Sequence, residues 1–452
     1  MLAQNTTDTF EIQFACFRLG AVFVPLNWRL ALAELHGIVA DCSPSALVHD
    51  AELAGPAEEL ARRHAIAHPL LRGEGESTYE RAVAGGRLLE APHRATHDDA
   101  CTILYTSGTT GVPKGAVSTY GTLFWNAVNC TGVAALSPGT VLLCALPLFH
   151  TAGLNLFANP TFHAGGAVLV MRRFDPGVAL RLLSDPALGA THLHGAPPLY
   201  QAMAAHPGFA AADLSRLLGA FVGAAPVPPA LLDAWRRKGV ALRQGYGMTE
   251  TGPLVLNLEA ADAIRKAGSA GKPVMHVEVR VAADAGGRRD AAAGEVGELW
   301  VRGPAVSPGY WNRPEATREA FTDGGWLRTG DAVRVDGEGF FTVVDRWKDM
   351  YISGGENVYP AEVENVLYRH PAVAEAAVIG VPDPTWGEVG RAVVVPRPGE
   401  APAEAELLAH CAAGLARYKV PRSVVFAEAL PRNATGKVHK PTLRRQFGGA
   451  PT

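Results

Sequence analysis

Eleven consecutive residues, Tyr105-Thr106-Ser107-Gly108-Thr109-Thr110-Gly111-Val112-Pro113-Lys114-Gly115, carry the densest chemistry in this chain. They follow an apolar, strand-like run, CTILYTS at 101–107. Gly108 and Gly111 can adopt positive φ and bring backbone close to a ligand. The hydroxyls of Thr106, Ser107, Thr109 and Thr110 and the neighbouring amides can then line a concave anion site, to which Lys114 adds charge. This is not a Walker A loop, because the glycine spacing differs and Lys114 is followed by Gly115 instead of Ser or Thr. An ordinary Gly-rich turn is the bland alternative, and the concentration of Thr, Ser and Gly argues against it.

Such a site must be local. The 452 residues hold 41 Lys and Arg against 44 Asp and Glu, a net charge of −3 that leaves no basic face for nucleic acid or anionic membrane. Cys16, Cys42, Cys101, Cys130, Cys144 and Cys411 are scattered without a Cys-x-x-Cys pair, so no disulfide framework or zinc cluster follows, and a reducing, cytoplasmic location is expected. The first residues, MLAQNTTDTFEIQ, lack the basic flank and apolar run of a signal peptide. Residues 115–171 contain no Asp, Glu, Lys or Arg, but Pro and polar residues interrupt them before the roughly 18 apolar residues of a membrane span. They read as the buried centre of a large α/β domain, and no integral membrane association is expected.

The elements that position these residues alternate. Apolar runs at 101–107, 140–148, 167–171, 191–197 and 218–225 read as strands, and 176–185, 197–206 and 228–239 have helical spacing with Pro near their starts. Non-alternating apolar strands between helices predict parallel sheets covered on both faces. From 268 to 345, HVEVRVA, GEVGELWVRG and GFFTVVDR predict an antiparallel or barrel-like subdomain. Beyond 345 come a helix opened by Pro360, strands in VAEAAVIGV and GRAVVVPRP, and an Ala- and Glu-rich helix at 402–416. The expected division is a large domain over 1–345, a hinge at 346–350 and a small α+β domain over 351–452. At the start, residues 8–20 predict a helix running into GAVFVPLNWRL, strand-like but with no preceding strand to pair with.

TSGTTGVPKG resembles the phosphate loop of the adenylate-forming superfamily, the AMP-forming acyl-CoA synthetases and their relatives. Six further segments fit the same family in the same order: LPLFHTAGLN (146–155), VGAAPVP (222–228), QGYGMTETGP (244–253), GWLRTGD (325–331), DRWKDMYISGGENVYPAEVE (345–364) and PRNATGKVHK (431–440). The resemblance implies ATP-dependent activation of a carboxylic acid to an acyl-adenylate with release of pyrophosphate, then transfer to coenzyme A with release of AMP. It also implies Mg²⁺ as a cofactor.

Carried over residue by residue, Thr106, Ser107, Gly108, Thr109, Thr110, Gly111 and Lys114 would hold the β- and γ-phosphates. Gly223, Ala224 and Ala225 would face adenine. In Gly245-Tyr246-Gly247-Met248-Thr249-Glu250, Tyr246 would stack on adenine, Thr249 would contact the α-phosphate, and Glu250 with Thr106 would help hold Mg²⁺. Asp331 would accept from the ribose hydroxyls and Arg346 would reach ribose or phosphate. Lys437 would stabilise charge in the adenylation step, whereas Lys440 reads as an ordinary solvated lysine. His150 would line the acid pocket and orient the acid or gate the thiol. Lys348 matches a hinge position, and Gly354 and Gly355 would leave room for the pantetheine arm. Lys419 and Arg422 read as contacts for the nucleotide end of coenzyme A or as ordinary surface charge.

Relatives carry several dozen more residues before the stretch resembling NTTDTFEIQFACFRLGAVFVPLN, so either the start is assigned too late or this is a shortened form with an exposed sheet edge and core surface. The expected consequence is poor solubility or low thermal stability, and a cooperative, high-melting transition would overturn it. Two other readings stay open: an adenylating enzyme that loads a carrier protein, and a non-catalytic protein that only binds nucleotide or acid. The pocket residues, Phe149, His150, Leu154, 192–199 and 221–225, favour a medium or long fatty acid or an aromatic acid over a dicarboxylate, without ranking the first two. Oligomeric state is not legible.

Overall fold

The computed structural model describes residues 1–73, 77–106, 113–223, 227–284, 286–354, 356–432 and 437–449. The chain divides into two compact units, Met1–Val279 with Val301–Leu327, and Arg280–Trp300 with Arg328–Thr452.

The first unit is built on a seven-stranded sheet. Its order is Lys272–Pro273, Leu256–Asn257, Leu242–Tyr246, Gly219–Val222, His192–Gly195, Val141–Cys144 and Ala167–Val170. The last five strands pair in parallel and the first two attach antiparallel. Strands such as Gly219–Val222 are buried at every residue, as expected for a sheet covered on both faces. Helices Pro176–Ser184, Pro197–Ala205 and Pro229–Arg237 each begin on proline, whose fixed φ suits a first turn where no amide bond is lost. They close a core around Trp235, Tyr200, Leu183 and Leu193. The Tyr200 hydroxyl donates to Phe221 O (2.8 Å) and the Trp235 indole to Tyr200 O (3.2 Å), so both polar tips are satisfied.

Strand order reverses at Val141–Cys144, which has Ala167–Val170 on one side and His192–Gly195 on the other. Crossovers leaving in opposite directions open a crevice beyond the C-terminal strand ends, where open α/β sheets bind ligands. The expected strand around 101–107 is one arm of an antiparallel hairpin, Ala100–Thr106 with Lys114–Thr119, in which Thr106 lies opposite Lys114.

The opening segment finds partners that lie later in the chain. Phe23 N donates to Cys101 O (2.9 Å) and Ile103 N to Phe23 O (3.0 Å). Leu2 is fully buried, and its amide donates to Val48 O (2.8 Å) at the edge of the parallel pair Ala46–Asp50 and His68–Arg72. Sequence order alone hides this pairing.

The 268–345 region supplies a four-stranded sheet in the order Glu278–Ala282, Val296–Arg302, Leu327–Val335, Phe341–Arg346, the last two antiparallel. A five-stranded sheet follows, with Gly387–Pro396 between Val373–Asp383 and Ser423–Phe426. Helices Pro360–Leu367 and Glu404–Gly414 cover one face through Val363, Leu367, Leu407 and Cys411. Helix Lys440–Phe447 covers the other through Leu443, packed with Ile379, Val381 and Val393. Among the described residues, no helix is long and apolar enough to cross a membrane.

Candidate functional site

Three parallel strands hand the chain to expected site segments at their C-terminal ends. Val141–Cys144 leads into Phe149 and His150, Gly219–Val222 into Gly223, and Leu242–Tyr246 into Gly247, Met248, Thr249 and Glu250. Gly223, just past the end of its strand, lies so close to Gly245 on the neighbouring strand that a Cβ on Gly223 would stand 3.1 Å from Gly245 O. At Gly247 a Cβ would stand 1.7 Å from Pro253 O, so only glycine lets the chain fold back on itself here. The turn continues as Thr249–Thr251, with Met248 N donating to Thr251 Oγ1 (2.9 Å). Ser107, Gly108, Thr109, Thr110 and Gly111, with Ala224, Ala225 and Gly355, lie outside the described residues.

Glu250 is only 7% exposed. A buried carboxylate needs donors, and these come from distant parts of the chain. Tyr310 OH donates to Glu250 Oε1 at 2.9 Å. The Thr106 hydroxyl lies 3.5 Å from the same oxygen and 3.4 Å from Lys114 O. Lys114 Nζ sits 5.2 Å from the centre of the Tyr310 ring, within cation–π range. The structure thus brings together Thr106, Lys114 and Glu250 as expected and adds Tyr310, for which the sequence offered only a polar turn, SPGYWN. Both hydroxyl bonds go to Oε1, which leaves Oε2 as a hard oxygen donor. No group of three or more His, Cys, Asp or Glu among the described residues could hold a metal ion. A lone buried carboxylate beside a hydroxyl fits Mg²⁺ that shares its ligands with phosphate oxygens.

His150 is half-buried, its ring 4.6 Å from that of Phe149, and its carbonyl accepts from Leu154 N at 3.0 Å. Nearby in sequence, Phe157 packs on Phe221 (4.6 Å) and His194 (5.2 Å). Burial pushes the His194 imidazole down to about 4 against a hydrogen bond with the backbone of Ala152, so this ring is neutral near pH 7. The unfolded chain takes this proton near 6.5, so it binds more protons than the folded chain between 6.5 and 4. Stability therefore falls as the pH drops through that window, by about 3 kcal/mol from this group alone. His194→Leu is expected to flatten that part of the acid limb in urea titrations. Equal losses in parent and variant between pH 6.5 and 4.5 would refute this.

In the second unit, Asp331 and Arg346 are register partners on adjacent strands. Arg346 Nη1 lies 3.1 Å from Asp331 Oδ1 and donates to Thr329 O (3.2 Å). Glu298, which sequence reading passed over, is buried beneath them: it accepts from Gly330 N (3.0 Å) and the Trp300 indole (2.8 Å), fixing the backbone before Asp331. Lys348 sits in the short turn Trp347–Asp349, and burial lowers its ammonium below the ordinary value. Gly354 has φ +61° and donates to Trp386 O (2.8 Å), and a Cβ there would stand 2.5 Å from the indole. Trp386 is partly exposed and has Arg422 over its ring at 5.7 Å. Lys419 is held by both oxygens of Glu362 at 2.7 and 2.8 Å, which commits its charge within the unit. Lys437 is exposed. Lys440 departs from expectation: it is not solvated but forms a buried ion pair with Glu364 at 2.8 Å, because helix Lys440–Phe447 lays its first turn against the sheet.

The chain is similar to known proteins over nearly its whole length. Residues 1–311 match the AMP-binding enzyme family and residues 362–437 the AMP-binding enzyme C-terminal domain. A feruloyl-CoA synthase of an Amycolatopsis species is 46% identical over 448 residues, covering 99% of this chain and 88% of that protein. An indoleacetate–CoA ligase of Aromatoleum aromaticum is 41% identical over 450 residues, covering 98% and 87%. The solved structure of ATP-bound MatB from Rhodopseudomonas palustris superposes with a TM-score of 0.89 at 33% identity, covering 99% of this chain and 88% of that one. The fold, the strand-end turn that carries Glu250 and the extent of these matches lead to one assignment: the chain belongs to the AMP-binding enzyme family.

Proposed function

We propose that this protein is an AMP-forming acid–thiol ligase acting on an aromatic or fatty carboxylic acid, with coenzyme A as acceptor. A carboxylate oxygen attacks the α-phosphorus of ATP and pyrophosphate leaves. The coenzyme A thiol then attacks the acyl carbon, loses its proton, and AMP leaves. The observation that carries the proposal is the buried Glu250 carboxylate, held by Thr106 and Tyr310 beside Lys114 at the C-terminal ends of a parallel sheet.

Two anions must meet for the first step, so the protein has to offset charge before the acid approaches. Lys114 and the Thr106 hydroxyl hold the terminal phosphates, and Glu250 with Thr106 holds Mg²⁺. When bound, Mg²⁺ neutralises phosphate charge. Tyr246 and the backbone at Gly223 and Gly245 receive the base, Thr249 the α-phosphate, and Asp331 with Arg346 the ribose. Lys437 supplies an ammonium to the adenylation step, and Lys348 is the hinge within 346–350 that joins a large domain, 1–345, to a small one, 351–452. The exposed Gly354–Trp386–Arg422 surface supports coenzyme A as acceptor, and we place the enzyme in the cytoplasm.

The acid contacts Phe149 and His150, and a neutral His194 among Phe157 and Phe221 offers no charge to a second carboxylate. An aryl acid fits such a wall best, in keeping with the feruloyl and indoleacetate relatives. The test is a panel of hydroxycinnamic, arylacetic, fatty and dicarboxylic acids with ATP and Mg²⁺, following pyrophosphate release and then thioester formation on adding coenzyme A. Pyrophosphate with aryl acids and thioester with coenzyme A are expected. No pyrophosphate with any acid would overturn the ligase reading, and pyrophosphate without thioester would move the acceptor to a carrier protein.

A further inference from the structure

Two chain segments deliver the hydroxyls that hold Glu250. Thr106 ends the first arm of the hairpin, and Tyr310 lies in an extended stretch that pairs with the second arm: Val117 N donates to Gly309 O (3.1 Å) and Trp311 N to Gly115 O (2.8 Å). Both segments also reach a second carboxylate. Tyr105, next to Thr106, donates its hydroxyl to Asp41 Oδ2 at 2.7 Å. Arg313, three residues after Tyr310, places Nη2 2.9 Å from Asp41 Oδ1. Between them, Asn312 turns the chain at φ +51° and donates its side-chain amide to Asp41 O at 3.0 Å.

Successive strand residues point to opposite faces. Tyr105 and Thr106 therefore send one hydroxyl to Asp41 and the other to Glu250. The ring of Tyr105 lies across Gly115, its register partner, where a Cβ would stand 2.6 Å from Ile103 Cγ2 and 3.1 Å from Tyr105 Cζ. Asp41 itself sits at the end of helix Leu32–Cys42, where a negative charge opposes the helix dipole, and only 8% of its side chain is exposed. Neither helix stability nor solvation accounts for a carboxylate there. Its two oxygens each bind one of the two segments that carry Thr106 and Tyr310.

We propose that Asp41 is a positioning residue for the Glu250 metal–nucleotide site: it clamps Tyr105 and Arg313 so that Thr106 and Tyr310 keep Glu250 aimed at the cation. This rests on the reading of Glu250 as the Mg²⁺ ligand. Partners beyond the ligand shell commonly change metal affinity by about 10–100-fold when removed. Asp41→Ala loses both arms, Tyr105→Phe loses one, and Asp41→Asn keeps an acceptor for Tyr105 while discarding the charge that holds Arg313.

The test measures affinity for Mn²⁺·ATP and for metal-free ATP in EDTA by calorimetry, with melting temperature recorded for each variant. Asp41→Ala is expected to weaken Mn²⁺·ATP about 10-fold and metal-free ATP less than about 2-fold, with Tyr105→Phe and Asp41→Asn between parent and Ala. The same ordering is expected in the Mg²⁺ concentration that half-saturates pyrophosphate release. Weakening of both nucleotide forms by one factor, or no weakening of either, would overturn the clamp. If Asp41→Ala does not fold, Tyr105→Phe decides alone: a selective loss of Mn²⁺·ATP affinity supports the clamp and unchanged affinity overturns it. Glu250→Gln separates the two claims. If it leaves Mn²⁺·ATP affinity intact, Glu250 is not the metal ligand, whatever Asp41 does.

Discussion

Lys437→Ala is expected to slow acyl-adenylate formation by ~10²–10³-fold, the usual loss when one preorganised donor to a developing charge is removed. Synthetic acyl-adenylate should still pass its acyl group to coenzyme A at near the parent rate. Formation of the mixed anhydride crowds negative charge between the acid oxygen and the α-phosphate, and an ammonium there matters more in the transition state than in the ground state. The thiol step starts from an adenylate already made, so it does not call on the same cation. Lys437 is exposed, and removing an exposed side chain usually moves stability by less than about 0.5 kcal/mol. The melting temperature should stay put while ATP–pyrophosphate exchange collapses. Lys437→Arg, which keeps the charge on a longer, planar head, should fall between the two. Exchange at the parent rate in Lys437→Ala would remove this lysine from the chemistry, and equal losses in both half-reactions would make it a general binding residue.

What the sequence disclosed and what it hid follow one physical divide. Features written in neighbouring residues were legible. Pro176, Pro197 and Pro229 announced three helices because a first-turn proline costs no hydrogen bond, and the apolar runs at 140–148, 167–171, 191–197 and 218–225 announced parallel strands, whereas LRQGY at 242–246 carries too little apolar character to announce its own. Thr106, Lys114 and Glu250 could be named from motif residues on two segments that the sheet then brought together. Contacts that join residues remote in sequence were not legible. Tyr310 meets Glu250 across 60 positions, Tyr105 meets Asp41 across 64, and Asn312 meets Asp41 across 271. Nothing local to Asp41 marks it, because an acid near the end of a short helix resembles any solvated residue. The opening segment misled for the same reason, since Phe23 takes its partner from Cys101 and Ile103, and Leu2 from Val48.

Lys440 shows how sharply two lysines three residues apart can differ, and here the expected loss is in stability. Lys440 and Glu364 share a buried contact of 2.8 Å, with side chains 12% and 17% exposed, and Glu364 Oε1 also accepts Val378 N at 2.8 Å. Burial pushes the Glu364 carboxyl above its ordinary value even with Lys440 beside it. Burial acts against the Lys440 ammonium, but Glu364 and Asp345 outweigh it and hold its proton above the ordinary range. Lys440→Met strands Glu364 as an unpaired carboxylate between helix Pro360–Leu367 and strand Val373–Asp383, which should cost about 3–5 kcal/mol at pH 8. That cost depends on pH in a definite direction. With no partner, the folded Glu364 pKa climbs further above 4.5, so below it the folded chain holds a proton that the unfolded chain releases. Stability of the variant should therefore recover, relative to the parent, as the pH falls from 8 toward 5. The double change Glu364→Leu with Lys440→Met removes both desolvated charges and should regain most of the loss, since an apolar pair of similar volume often matches a buried ion pair. Urea unfolding of the parent, Lys440→Met, Glu364→Leu and the double variant at pH 8 and pH 5 reads all of this in one cycle. A single-variant loss below about 1 kcal/mol, or a loss that does not change with pH, would mean that the pair is solvated after all.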